Sequence, residues 1–465
     1  MTQSPQTQVL HADWTWIDGS FQENVGVPIA PDGTLGAILP SSAIPAHAIR
    51  LRNRALLPGF INAHSHAFQR AIRGLTHHRT QGSNDDFWSW RDAMYRVVER
   101  MDRDGIRALS RFAFLEMLKS GFTGVGEFHY IHRDLERPDD PNSLACAVIE
   151  AAQEVGIRIR LLRVAYERSG FTNAPPSPGQ ARFIEGDSST LLAHCDSLAS
   201  WCDDLGDPRV TMGVAPHSVR AVSAETLQHL GRWARDNERV LHVHGSEQPA
   251  EVRDCLAATG LRPVAWLDEA GVLSARSTVV HATHLDEDDI QRLANTHTTV
   301  CACPTTEADL GDGILPAGDL HAAGVPFALG SDSQAVIDPF QEMRLLEMNE
   351  RLRTGSRACL LDEAGSCAPV LLDAATRGGA QSLDWNAGTL REGAFADLIT
   401  LNLQDIRLAG ATTLTLPAFL ACHGEGSLVQ DVWIQGQRTV EDGAHRMDEW
   451  ARSEFEETLE RMRDD

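Results

Sequence analysis

Apolar residues along this chain fall into two textures. From about His11 to Leu57, short apolar stretches are broken by the turn signals Asp18-Gly19, Pro31-Asp32-Gly33 and Pro45, which predicts a small antiparallel β unit. The same texture returns after about Gly388, with Glu392-Gly393, the run Ala396–Leu401, and Val429–Ile434 followed by Gln435-Gly436. The two end segments can pair into one side domain if a barrel is inserted between them, since domain termini usually lie close together. Between them, strand-like apolar runs alternate with helical stretches. The runs are Leu57–His66, Thr123–Tyr130, Arg158–Tyr166, Val210–His217, Val240–Glu247, Thr278–Leu285, Thr298–Pro304 and Pro326–Asp332. This alternation predicts a parallel sheet wrapped by helices, and eight strands close a (β/α)8 TIM barrel. Asp104–Ser120 and Ser223–Glu238 carry apolar residues at helical spacing and are long enough to be crossover helices. The expected architecture is α/β. Residues 1–57 and 389–446 form the two parts of a composite β-sandwich domain, 58–388 form the barrel, and the Glu- and Arg-rich segment 447–465 is an exposed, solvated helix.

Composition narrows the function. The 465 residues, 42% of them hydrophobic, suit a barrel plus a smaller domain. A formal net charge of -24 argues against nucleic-acid and membrane-surface partners, which need clustered Lys and Arg, and favours a small-molecule substrate. Nine cysteines without CxxC pairs, in a chain with no signal-peptide pattern or transmembrane run, point to a reducing cytoplasm. A homo-oligomer, with a dimer as default, is the expected assembly. The only lysine is Lys119, in a helical stretch.

Chemistry-bearing residues cluster at the C-terminal ends of the predicted strands, where TIM-barrel sites are built. His64-Ser65-His66 ends the first run, and strand alternation aims both imidazoles to the same side. The fifth run ends His242-Val243-His244-Gly245-Ser246-Glu247, the sixth contains His281, and the eighth ends in Asp332. Three imidazoles and a carboxylate suit one divalent ion, Zn²⁺ or Fe²⁺, with a water position left open. The offset to Glu247 makes His244 the better ligand and His242 a packing residue. Cys301 and Cys303 read as small apolar packing residues, and Trp88 and Trp90 as either lid or packing.

Pro58-Gly59-Phe60-Ile61-Asn62-Ala63-His64-Ser65-His66 resembles the opening metal motif of the amidohydrolase superfamily. The set of HxH, His with Glu three residues on, a further His, and Asp is similar to its mononuclear deaminase branch, whereas the binuclear branch uses a carboxylated lysine that no strand end here supplies. Ala67–Ala71, Phe87-Trp88-Ser89-Trp90-Arg91, Glu127-Phe128-His129-Tyr130, Ala215–Arg220 and Cys303-Pro304-Thr305-Thr306-Glu307 resemble the formimidoylglutamate deiminases of histidine degradation. Asp332-Ser333-Gln334 departs from that pattern after the serine, which leaves the outer pocket wall open. The resemblance implies His64, His66, His244 and Asp332 as metal ligands, Asp332 also accepting the water proton. It implies Glu247 as proton shuttle to the leaving nitrogen and His281 as the group orienting the nucleophile.

N-formimino-L-glutamate carries an amidine at one end and two carboxylates at the other. Arg220 and Arg91 are the expected carboxylate clamps, with Gln69, Tyr130 and His217 supplying neutral hydrogen bonds. The competing readings are a deaminase of a purine or pyrimidine ring, which would want aromatic stacking instead of arginines, and a catalytically dead barrel used as a scaffold.

Overall fold

The computed structural model describes residues 7–77, 87–171, 176 and 178–462. Both chain ends build one seven-stranded mixed sheet: β1 (Gln8–Ile17), β2 (Ser20–Glu23), β3 (Val27–Ile29), β4 (Ile49–Pro58) and, from the far end, three more strands. The N-terminal unit is not purely antiparallel, because β1 and β4 run parallel, from Leu10 beside Ile49 to Thr15 beside Leu56. The barrel follows: β5 (Phe60–Ser65), β6 (Phe122–His129), β7 (Arg158–Ala165), β8 (Val210–Pro216), β9 (Leu241–Gly245), β10 (Ser277–His281), β11 (Thr299–Ala302) and β12 (Phe327–Leu329). These eight strands pair parallel in sequence order. β13 (Leu398–Asn402), β14 (Val429–Ile434) and β15 (Gln437–Val440) complete the mixed sheet, β13 lying antiparallel to β4.

The first apolar run proves to be two strands. Leu57 and Pro58 close β4 in the side sheet, and the barrel begins only at Phe60. Gly59 makes the break: a Cβ there would lie 2.1 Å from the Thr123 side chain, so this crossing tolerates only glycine. Crossover helices start and stop where local chemistry dictates. The helix Arg103–Ser120 is capped by the Asp102 side chain accepting from Gly105 N at 2.6 Å, and ends at Gly121 with φ 101°. Ser223 caps Ala224–Asp236 through Thr226 N.

β12 and β5 close the barrel at their C-terminal ends rather than along a ladder. Asp332 N donates to His64 O and His66 N to Asp332 O, both at 3.0 Å. Closure and site are thus the same residues. Below them the lumen is filled by Ala63, Val280, Cys301, Cys303 and Ala328, so both cysteines pack as small apolar groups.

The C-terminal helix is not a free solvated face. Asp448–Met462 buries Ala451, Phe455 and Thr458 against Arg103–Ser120. Phe455 stacks on Phe112 at 4.1 Å, and Arg111 lies 4.2 Å over the Trp450 ring while pairing with Glu454. Among the described residues no helix is long and apolar enough to cross a membrane.

Candidate active site

β5 delivers His64 and His66, β9 delivers His244, and the turn after β12 delivers Asp332, all four buried. Their ligand atoms converge. His64 Nε2 lies 3.2 Å from His66 Nε2 and 3.0 Å from His244 Nε2, and Asp332 Oδ1 is 3.3 Å and 3.2 Å from the Nε2 atoms of His64 and His66. A tetrahedral shell with metal–nitrogen distances of about 2.0–2.1 Å has ligand edges of roughly 3.3 Å, so the spacing is that of one coordination sphere. Tautomers agree. Phe128 O and His217 O, each 2.9 Å from the Nδ1 of His66 and His244 respectively, can only accept, so both Nδ1 atoms carry the proton and both Nε2 lone pairs face inward. Burial pushes His64 down to about 3, so its ring is neutral as well. These residues fit a divalent metal.

A buried polar belt holds this centre from beneath. Ser65 Oγ donates to Glu127 Oε2 at 2.5 Å, and Glu127 Oε1 accepts from Ala67 N at 2.8 Å. Gln334 Nε2 donates to Ser65 Oγ and to Asp332 O, both at 2.9 Å, while Ser331 Oγ bridges from Asn62 to Gln334 Oε1. Gln334 is therefore not part of the outer pocket wall; it is fully buried and ties β5 to the Asp332 turn. Burial pushes Glu127 up to about 7.

Beside the ligands stand Glu247 and His281. His281 Nε2 is 3.7 Å from both Glu247 Oε1 and Asp332 Oδ2, and its Nδ1 is 3.5 Å from Glu307 Oε1. Burial alone would lower the pKa of His281, but the carboxylates of Glu247, Glu307 and Asp332 raise it well above the usual imidazole range. His281 (φ 71°), Ala282 (φ 54°), Ser246 (φ 55°), Asp332 (φ 44°) and Gln334 (φ 61°) all occupy the left-handed region. Each costs of order 1–3 kcal/mol, so the surrounding packing must impose them, as happens at functional sites.

A cleft opens from the ligands, and every substrate-binding residue expected from the sequence lines it: Gln69, Arg91, Tyr130, His217 and Arg220. Gln69 Nε2 donates to Tyr130 Oη at 2.9 Å, leaving the buried Gln69 Oε1 without a hydrogen-bond partner. Arg220 Nη2 sits 3.2 Å from Glu247 Oε2 and its Nε 3.9 Å from Glu251 Oε1, so the expected clamp touches the expected shuttle. His242 is excluded from the site, its Nε2 donating to Ser382 O at 2.9 Å. Trp90 lines the cleft; the Trp88 side chain lies outside the described residues.

Sequence reasoning missed Glu127, Glu251 and Glu307, and missed an aromatic wall of Tyr95, Tyr166 and Phe183. Glu127 near the end of β6 and Glu307 at the start of the helix Pro304–Leu310 both lie at element ends facing the site, which was the available signal.

The sequence pattern of the amidohydrolase family matches residues 55–439. The chain belongs to the amidohydrolase family. Members use a divalent metal, and this amidohydrolase is an enzyme, a hydrolase acting on C–N bonds. It is 37% identical to a formimidoylglutamate deiminase of Pseudomonas aeruginosa, over 98% of this chain and 99% of that one. It is 31% identical to a 5-methylthioadenosine/S-adenosylhomocysteine deaminase of Natronomonas pharaonis (83% of this chain, 81% of that one) and 29% identical to an 8-oxoguanine deaminase of Pseudomonas aeruginosa (90% of each). Among solved structures, an amidohydrolase from Brucella melitensis superposes with a TM-score of 0.90 at 32% identity, covering 98% of this chain and 99% of that one. An adenosine deaminase from Xanthomonas campestris with bound zinc shares the fold, with a TM-score of 0.82 at 23% identity over 99% of each chain.

Proposed function

We propose that this amidohydrolase deaminates N-formimino-L-glutamate to N-formyl-L-glutamate and ammonia, with one divalent ion, zinc in preference to iron, held by His64, His66, His244 and Asp332. The observation that carries the reading is the polarity of the cleft. Both charge signs line it: Glu247 and Asp332 face His281, and the guanidinium groups of Arg91 and Arg220 share the same cleft, Arg220 Nη2 lying 3.2 Å from Glu247 Oε2. A substrate that carries both a cationic amidine and carboxylates offers a partner to each charge type; a neutral ring does not. The 37% identity to a formimidoylglutamate deiminase along nearly the whole chain supports the same choice.

When bound, the metal would lower the pKa of a coordinated water to about 7. Asp332 Oδ2, turned toward His281, is placed to accept the proton of the attacking water. Glu247 relays that proton from Asp332 to the departing nitrogen, which leaves as ammonia while the new hydroxyl returns its proton to Asp332 as the formyl carbonyl forms. His281 Nε2, between Glu247 and Asp332, orients the attack and stabilises the tetrahedral carbon's new hydroxyl. Arg91, Arg220, His217, Gln69 and Tyr130 hold the carboxylates.

The aromatic wall of Tyr95, Tyr166 and Phe183 favours a second reading, a purine-type ring, as do the purine-deaminating relatives. Ammonia release from formiminoglutamate, formiminoaspartate, 8-oxoguanine, guanine, cytosine and 5′-methylthioadenosine separates the two. Formiminoglutamate should be turned over with a kcat/KM at least tenfold above any ring; preference for a ring overturns the proposal. Arg220→Met sharpens the test. Losing a desolvated charge partner costs about 2–5 kcal/mol on carboxylate-bearing substrates. Because Arg220 also touches Glu247, a carboxylate-free formamidine should lose some activity too, but clearly less; equal losses would remove the clamp.

A further inference from the structure

The Cys303-Pro304-Thr305-Thr306-Glu307 motif has no part in the chemistry above, yet it stands directly behind it. Pro304–Leu310 is a short helix packed against the strand ends, and each polar residue of its first turn is engaged. Thr305 N and Oγ1 donate to Glu342 at 3.0 and 2.5 Å, which fixes the helix to Pro339–Thr354. Thr306 Oγ1 accepts from Ser333 N at 3.2 Å, bracing the Asp332 turn. Glu307 Oε1 accepts from Cys303 N at 2.8 Å and lies 3.5 Å from His281 Nδ1. That nitrogen is buried with no hydrogen-bond partner in the structure, and Glu307 itself is only 2% exposed. At 3.5 Å the contact is longer than a good hydrogen bond, and catalytic contacts of this kind shorten when substrate fills the site.

We propose that Glu307 is a positioning residue that acts through His281: its Oε1, pinned by Cys303 N–H, accepts a hydrogen bond from His281 Nδ1–H and turns Nε2 toward the reacting atoms. A carboxylate can only accept here, so it requires a hydrogen on Nδ1, in the neutral ring and in the cation alike. Without it the ring could flip or take the other tautomer, and its strained backbone at φ 71° would hold an imidazole of the wrong orientation. The inference rests on the deaminase reading only in giving His281 work to do.

A double-mutant cycle tests it, using the metal-loaded full chain and whichever substrate the panel identifies. Glu307→Ala should lower kcat about 10- to 100-fold, the range for lost orienting partners of site histidines, with KM within threefold and metal content unchanged. In a His281→Asn background the same change should cost less than threefold, because the group it positions is gone. Glu307→Gln, whose amide oxygen is still pinned by Cys303 N–H, should restore at least a third of the kcat lost in the alanine variant; it also serves as the cycle partner if the alanine variant does not fold. Equal losses in both backgrounds, or a loss that tracks metal content, overturn the proposal. A His281→Asn enzyme with near-normal kcat would instead remove the role assigned to His281. Independently of turnover, ¹⁵N-histidine NMR should show the His281 ring, assigned by its absence in His281→Asn, protonated on Nδ1 in the wild type and altered in Glu307→Ala; protonation on Nε2 alone in the wild type overturns the proposal.

Discussion

Glu247 is the residue at which chemistry and specificity meet, with Arg220 Nη2 at 3.2 Å on one side and His281 Nε2 at 3.7 Å on the other. Glu247→Gln keeps the shape and removes the proton carrier, so turnover should fall about 10²- to 10⁴-fold with metal stoichiometry intact. Activity within a few-fold of wild type would rule out the shuttle role. His64→Ala or Asp332→Ala should behave differently, losing both metal and activity, since each removes one of the four converging ligand atoms; metal analysis after desalting distinguishes the two classes. Much of this set was legible in the sequence, because strand alternation alone places His64 and His66 on one face and strand ends gather the rest. Glu127, Glu307 and the Tyr95–Tyr166–Phe183 wall were not, because which helix start or loop leans over a cleft is decided by packing between segments far apart in the chain.

At the scale of elements, the eight strands were readable as apolar runs, but the joint at Gly59 was not. Hydrophobicity continues unbroken from Leu57 through Ile61, and only the Thr123 side chain, 2.1 Å from any added Cβ, marks the crossing from side sheet to barrel. Likewise the charge of the C-terminal helix hid Phe455 and Trp450, which make it a docked element. Barrel closure between β5 and β12 is thin, and Gln334 reinforces it by joining Ser65, Ser331 and the Asp332 carbonyl. Gln334→Leu should therefore orphan buried donors and acceptors at about 1–3 kcal/mol for each group left unpaired. The check is urea denaturation of metal-loaded and metal-stripped protein; a loss under about 0.5 kcal/mol in both states would mean that the belt contributes nothing to closure.

Across the whole molecule, barrel and side sheet are joined by an ion pair with almost no solvent contact. Arg158, at the first residue of β7, donates from Nε to Asp397 Oδ2 at 2.7 Å and from Nη2 to Oδ1 at 3.2 Å, with the Phe395 ring 3.8 Å from its guanidinium carbon. Asp397 Oδ1 also accepts from Gln435 N at 2.7 Å, so the pair stitches the bottom of the barrel to both strands of the antiparallel β13–β14 pair. Removing one partner leaves the other charge buried and uncompensated, which costs about 3–5 kcal/mol, while removing both costs far less because neither desolvation penalty remains. Arg158→Met should thus lower stability by that amount, and adding Asp397→Asn, which keeps an acceptor for Gln435 N–H, should recover more than half of it. Denaturation followed by far-ultraviolet circular dichroism and by metal release reads both the size of the effect and whether the two units still unfold together. A single-variant loss below about 1 kcal/mol, or a double variant no more stable than Arg158→Met alone, would mean that apolar packing, and not this ion pair, holds the two units together.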